Sequence, residues 1–275
     1  NALTVDPRTG DVYVTGSSIG PSYRTDAVTI KYDSQGVQRW LARYNRTYDT
    51  WDRGDDIELD ARGNVYVIGP GGNDYTVIKY DQNGKLKWSV FHYDLQSHFY
   101  HVATDLAVDE SGNAYVTGYG HDRETGHDII YKTVKYGPAG AKQWTAEFKT
   151  AYKDFSQGTK LALDQARNVY VTGFNSCTPS TNFDLVTVKY NTKGAQEWQA
   201  CYRGTPIVSS YASAIAVNSA GDVYVMGTRN DYGQNQGTIT TIKYSQTAGL
   251  ARVGEKAQRP SPQYALAQNY PNPFN

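Results

Sequence analysis

The chain is 275 residues long, and its 27 Lys and Arg are balanced by 27 Asp and Glu, leaving no net charge. That balance offers no electrostatic footprint for nucleic acid or anionic lipid, and no apolar run approaches the roughly 20 residues of a transmembrane helix. The 24 Tyr and 26 Gly suit pleated strands joined by tight turns.

The first predicted unit, about residues 1–45, carries "DVYVTG" from Asp11, "TIKYD" from Thr29 and then Trp40. The second, about 56–94, repeats the set as "NVYVIG" from Asn64, "VIKYD" from Val77 and Trp88. The third, about 104–150, has "NAYVTG" from Asn113, "TVKYG" from Thr133 and Trp144. The fourth, about 159–203, has "NVYVTG" from Asn168, "TVKYN" from Thr187 and Trp198. The fifth, about 213–253, has "DVYVMG" from Asp222 and "TIKYS" from Thr241, but "AGLARV" replaces the tryptophan segment. The first motif recurs at steps of 53, 49, 55 and 54 residues, and each Trp stands eight residues after the Tyr of the second motif. Three motifs keeping one beat over five copies mark a repeat architecture.

Each copy holds four strand-like runs. In the second these are "DIELD", "NVYVIG", "YTVIKYD" and "KLKWSVF". Turn sequences such as "LDARGN" and "YDQNGK" separate the first from the second and the third from the fourth. Four antiparallel strands per unit, repeated, predict an all-β fold, a β-propeller with five blades present. Adjacent bulky residues such as Val65, Tyr66 and Val67 fit strands covered on both faces. The innermost strand should lie near the axis, with mostly small central residues (Thr4, Glu58, Ala107, Ala162, Ala216). The Trp should cap each blade's outer edge.

These motifs resemble the bacterial seven-bladed β-propeller repeat family, whose pattern is close to "GNVYVTG … DYxTVKYDxxGxxxW", over about residues 1–253. Ile130 and Thr238 replace the usual Asp, and copy five lacks its Trp. Five copies leave two options open, a closed five-bladed ring or part of a larger propeller. Residues 254–262 have linker composition. The terminal "YALAQNYPNPFN" (264–275) resembles the start of the C-terminal sorting domain read by the type IX secretion machinery of Bacteroidota, so residues 263–275 are expected to be its truncated beginning. This resemblance implies a secreted or surface-attached protein of a Gram-negative bacterium. In an exported chain Cys177 and Cys201, at one end of blade four, are expected to form a structural disulfide.

The short turns occupy one end of the blades, while the loops at the other end differ in every copy: compare "GPGGND" with "GYGHDRETGHDII" and "GFNSCTPSTNFDL". Irregular loops on a regular scaffold carry function, so this end is the expected binding face. Its aromatic side chains single out Tyr48, Trp51, Tyr100, Tyr119, Tyr152 and Tyr211, suited to stacking on sugar rings, with packing between blades as the alternative. All five His fall between His92 and His127. They read as solvated loop residues, and no metal ligand set is assigned. The recurring Lys31, Lys79, Lys135, Lys189 and Lys243 should lay their stems along the blade. Asp26, Asp74 and Asp184 should fix the loop entering strand three.

No catalytic set or cofactor is assigned. "GSSIG" (Gly16 to Gly20) lacks the strand-to-helix setting of a nucleophile elbow, and nothing indicates a cofactor cavity. The expected role is non-enzymatic binding of an extracellular glycan or protein. The alternatives are a polysaccharide hydrolase or lyase, using Asp55, Asp56 and Asp105 near the channel mouth, and a structural spacer.

Overall fold

The computed structural model describes residues 1–20, 23–47, 51–71, 74–92, 99–122, 130–148, 156–177, 183–202, 208–231 and 236–245. They form nineteen strands and no helix. Blade one is β1 (Ala2–Val5), β2 (Val12–Ile19), β3 (Thr25–Tyr32) and β4 (Gln38–Tyr44). Blade two is β5 (Asp56–Leu59), β6 (Val65–Gly71), β7 (Asp74–Tyr80) and β8 (Leu86–Phe91). Blade three comprises β9 (Phe99–Val108), β10 (Ala114–Asp122), β11 (Ile130–Tyr136) and β12 (Lys142–Phe148). Blade four comprises β13 (Ser156–Leu163), β14 (Val169–Asn175), β15 (Asp184–Tyr190) and β16 (Gln196–Tyr202). Blade five shows β17 (Val208–Val217), β18 (Val223–Asp231) and β19 (Gln236–Tyr244) among the described residues. Within each blade the strands pair antiparallel in chain order.

The hairpin turns explain the regularity. Between strands three and four an Asp or Asn side chain caps the turn. Asp33 Oδ1 accepts from the amides of Gln35 and Val37, both at 2.9 Å, and Asp81 and Asn191 act alike. The turn then needs a left-handed residue, and Gly36, Gly84 and Gly194 supply it with φ of 80°, 78° and 81°.

The core lies between blades rather than within them. Tyr13, Ala27 and Tyr44 of blade one pack on Ile57, Val65, Val67, Ile78 and Tyr80 of blade two. Similar layers join two to three, three to four and four to five. Among the described residues the first three layers share one latch. The Trp40 indole donates to the Gln82 carbonyl of the next blade at 3.0 Å, Trp88 to Pro138 at 2.9 Å and Trp144 to Thr192 at 3.1 Å. The Trp therefore ties successive blades together as well as capping an edge, with ring burial worth on the order of a few kcal/mol.

The inner strands β1, β5, β9, β13 and β17 touch in succession, which puts them around the axis. Among the described residues no comparable contact joins the fifth blade to the first. The described blades therefore form an open arc.

Candidate functional site

The antiparallel order sends the ends of second and fourth strands, and the starts of first and third strands, to one end of the arc. The strand ends that the variable loops join lie there, and so does Trp51, one of the singled-out aromatics. Trp51 is 55% exposed, and the Arg24 guanidinium lies 4.9 Å from its ring centroid. Tyr23, next to Arg24 in sequence, is 88% exposed and held at a φ of 59°. One cation and one aromatic side chain thus meet at a corner of this end, with the exposed Tyr23 adjoining Arg24 in sequence.

The other candidates are placed differently. Tyr211, expected among the loops, stands within β17, because the inner strand of that blade runs from Val208. Its ring packs on Phe174 and Phe183, with centroids 5.1 and 6.1 Å away, which is packing between blades. Tyr119 likewise stands in β10 rather than in the following loop, and pairs with Tyr131 of β11. Tyr100 belongs to β9, opposite His121, and its side chain is outside the described residues. Tyr48 and Tyr152 are outside them altogether.

A disulfide joins Cys177, just past β14, to Cys201 in β16, with Cα atoms 6.5 Å apart. It ties the start of the β14–β15 loop to the outer strand of the blade. The recurring aspartates take unequal roles. Asp184 Oδ2 accepts from the Cys177 amide at 2.9 Å and so holds its own loop. Asp26 accepts from Asn45 at 2.8 Å, and Asp74 turns to a histidine.

That histidine corrects the expectation of solvated loop residues. His101 and His92 are both buried. The Asp74 carboxylate lies 3.0 Å from His101 Nδ1, and the Lys132 ammonium lies 3.2 Å from Nε2. Lys132 also pairs with Glu147 at 3.3 Å. An Nδ1-protonated neutral ring satisfies both contacts, donating to Asp74 and accepting from Lys132. His92 stacks flat on Tyr75 at 4.9 Å and meets His101 edge-on at 4.8 Å. The set joins blades two and three. His98 and His127 lie outside the described residues, and among those described no three His, Cys, Asp or Glu side chains could hold a metal ion.

The second titratable cluster lines the axis. Asp56 Oδ2 accepts from the Leu106 amide of blade three at 3.0 Å. One blade on, Asp105 Oδ2 accepts from the Leu161 amide at 2.7 Å, and its Oδ1 binds Lys160 Nζ at 2.6 Å. Equivalent inner-strand aspartates thus clasp the next inner strand. Burial raises Asp105 to about 6 despite its bond to Lys160. Glu58, on the same strand face as Asp56, rises to about 7 through burial and then repulsion from Asp56. Burial is the largest single influence on Lys160 and lowers it, but the bond to Asp105 together with attraction to the Asp105, Asp56 and Glu58 carboxylates outweighs burial and raises the ammonium. Asp55 is held by Arg53 at 2.6 Å and Asn1 at 3.3 Å. Lys160 was not singled out from the sequence, although it sits two residues before Ala162 as Asp105 does before Ala107.

The recurring lysines are structural. Each faces the Tyr opposite it on strand two, from 4.7 Å for Lys79 over Tyr66 to 5.5 Å for Lys189 over Tyr170. Lys31, Lys189 and Lys243 also reach carboxylates at 2.8 Å.

With that geometry in view, the profile described as Beta-propeller repeat matches residues 99–122, the β9–β10 hairpin. The fold is that of a β-propeller repeat protein. No curated protein sequence matches the chain. A protein from Lactobacillus plantarum is similar over 90% of this chain and 77% of its own, at 13% identity and a TM-score of 0.53. Lignostilbene dioxygenase from Pseudomonas brassicacearum is similar over 87% of this chain and 59% of its own, at 11% identity and a TM-score of 0.53. At such identities the likeness concerns the fold alone. Among the described residues no helix is long and apolar enough to cross a membrane.

Proposed function

We propose that this chain is an exported, non-enzymatic propeller that binds an extracellular glycan through its variable-loop end. The observation that carries the reading is Trp51, half-exposed at that end with Arg24 against its ring and exposed Tyr23 adjoining. An indole face stacks on the C–H face of a pyranose, and a guanidinium alongside donates to hydroxyls or a uronate. The Cys177–Cys201 bond suits an oxidising compartment. The likeness of residues 264–275 to a type IX sorting signal supports delivery by that machinery to the cell surface or medium.

The hydrolase or lyase reading has less support. Asp55 pairs with Arg53, while Asp56 and Asp105 accept amides of the next inner strand and so hold blades together. Of the axial carboxyls Glu58 is raised to about 7 and Asp105 to about 6.

A glycan panel probed with the full chain tests the proposal. Specific binding should weaken at least about tenfold in Trp51→Ala, a loss of roughly 1.4 kcal/mol. A blank panel from cooperatively melting protein, or binding indifferent to Trp51, would overturn it and favour a protein ligand or a spacer.

A further inference from the structure

The latch between blades has an unfilled copy. At Gly84, Gly140 and Gly194 an added Cβ would lie 2.7 to 3.0 Å from the Trp40, Trp88 and Trp144 rings of the preceding blade. Each glycine is a seat for an indole. Gly36 holds the same turn position with the same left-handed backbone, yet nothing lies within 4 Å of its Cβ place.

The sheet face beside Gly36 agrees. In blade two, Ile57, Val67 and Ile78 form a cross-strand row buried against blade one. Blade one repeats that row as Leu3, Val14 and Ile30. Ile57 is 1% exposed, whereas Leu3 is 65% exposed and Val5 48%. The residue types and register are those of a blade-covered face, but the face lies open.

We propose that this face of blade one docks a further blade of the same repeat type, one that brings a tryptophan to Gly36. The occupant follows from continuity with an interface repeated along this chain: what covers the equivalent face of blade two is blade one, Trp40 included. A second copy of this chain offering its fifth blade does not fit, because Arg252 stands where the other blades carry Trp. The inference is independent of the glycan reading, whose residues lie on the opposite side of blade one's loops and turns.

The test supplies the blade. A duplicate of residues 1–54 is placed ahead of Asn1 of the full chain, so that its own Trp40 can reach Gly36. The duplicated protein should melt about 5 °C or more above the original, and amides of β1 and β2 should gain protection from hydrogen exchange. Two variants separate docking from simple appending. Trp40→Ala in the duplicate alone should abolish most of the gain. Gly36→Asn should leave the original chain nearly unchanged, since Asn tolerates the left-handed backbone and the place is open, yet it should abolish the gain on duplication. No gain in melting temperature or protection, or a gain unaffected by both variants, overturns the proposal. So does concentration-dependent self-association of the original chain that protects β1 and β2, since the occupant would then be a second copy.

Discussion

Replacing Glu58 by Gln isolates the cost of an axial charge. In the folded chain its carboxyl titrates at about 7 against a model-peptide value of 4.5. Between those values the folded state holds a proton that the unfolded chain has released, so stability must fall as pH rises through the window. A displacement of that size corresponds to at most about 3 kcal/mol. Glu58 is only partly buried, and solvent screening leaves roughly half, about 1.5 kcal/mol. Gln keeps the shape and cannot ionise. Glu58→Gln should therefore match the parent near pH 4.5 and exceed it by about 1.5 kcal/mol at pH 8. Urea melts followed by tryptophan fluorescence at both pH values would measure this, provided the m-value is unchanged. A variant equally stabilised at both pH values, or destabilised at pH 8, would refute the reasoning, because the charge would then carry no penalty at the axis.

Two companion predictions use the same assay. Lys160→Met removes the bond to Asp105 and should cost about 1–2 kcal/mol at pH 8, since an unpaired buried carboxylate is left behind; near pH 4.5, with Asp105 protonated, the loss should largely vanish. A Cys177→Ser, Cys201→Ser double variant releases a loop closed across 24 residues and should lose about 3 kcal/mol, with exchange rising first in β15 and β16; unchanged exchange there would show that the bridge does not hold the loop end.

The repeat made most of the scaffold legible. Five copies of one motif set align strands, turn residues and tryptophans against each other, so a local preference seen once is checked four times. The cross-strand row of Tyr66, Lys79 and Trp88 follows from pleat alternation within a single blade. What escaped the sequence lies between blades, where pairing joins residues 27 to 55 apart with no local pattern. Lys160 meeting Asp105, and Asp74 meeting His101, depend on one blade's face arriving against the next. His101 looked like a loop residue because the inner strand of blade three extends back to Phe99, beyond the repeated core. Tyr211 was misplaced for the same reason in blade five.

The same contrast says where specificity can reside. A side chain present in every blade, such as the lysine over its tyrosine, is spent on the interface common to all blades and cannot distinguish one ligand from another. Lys160 departs from the aspartates that hold its place in blades two and three, yet its ammonium is engaged by Asp105 of the preceding inner strand. Trp51 departs from the repeat too, but its ring is open to solvent at one corner of the loop end, with Arg24 drawn over it. Residues that break the symmetry without serving a blade contact are the ones free to meet a ligand, and by that criterion the Trp51 corner outranks both the axial carboxylates and the buried histidines.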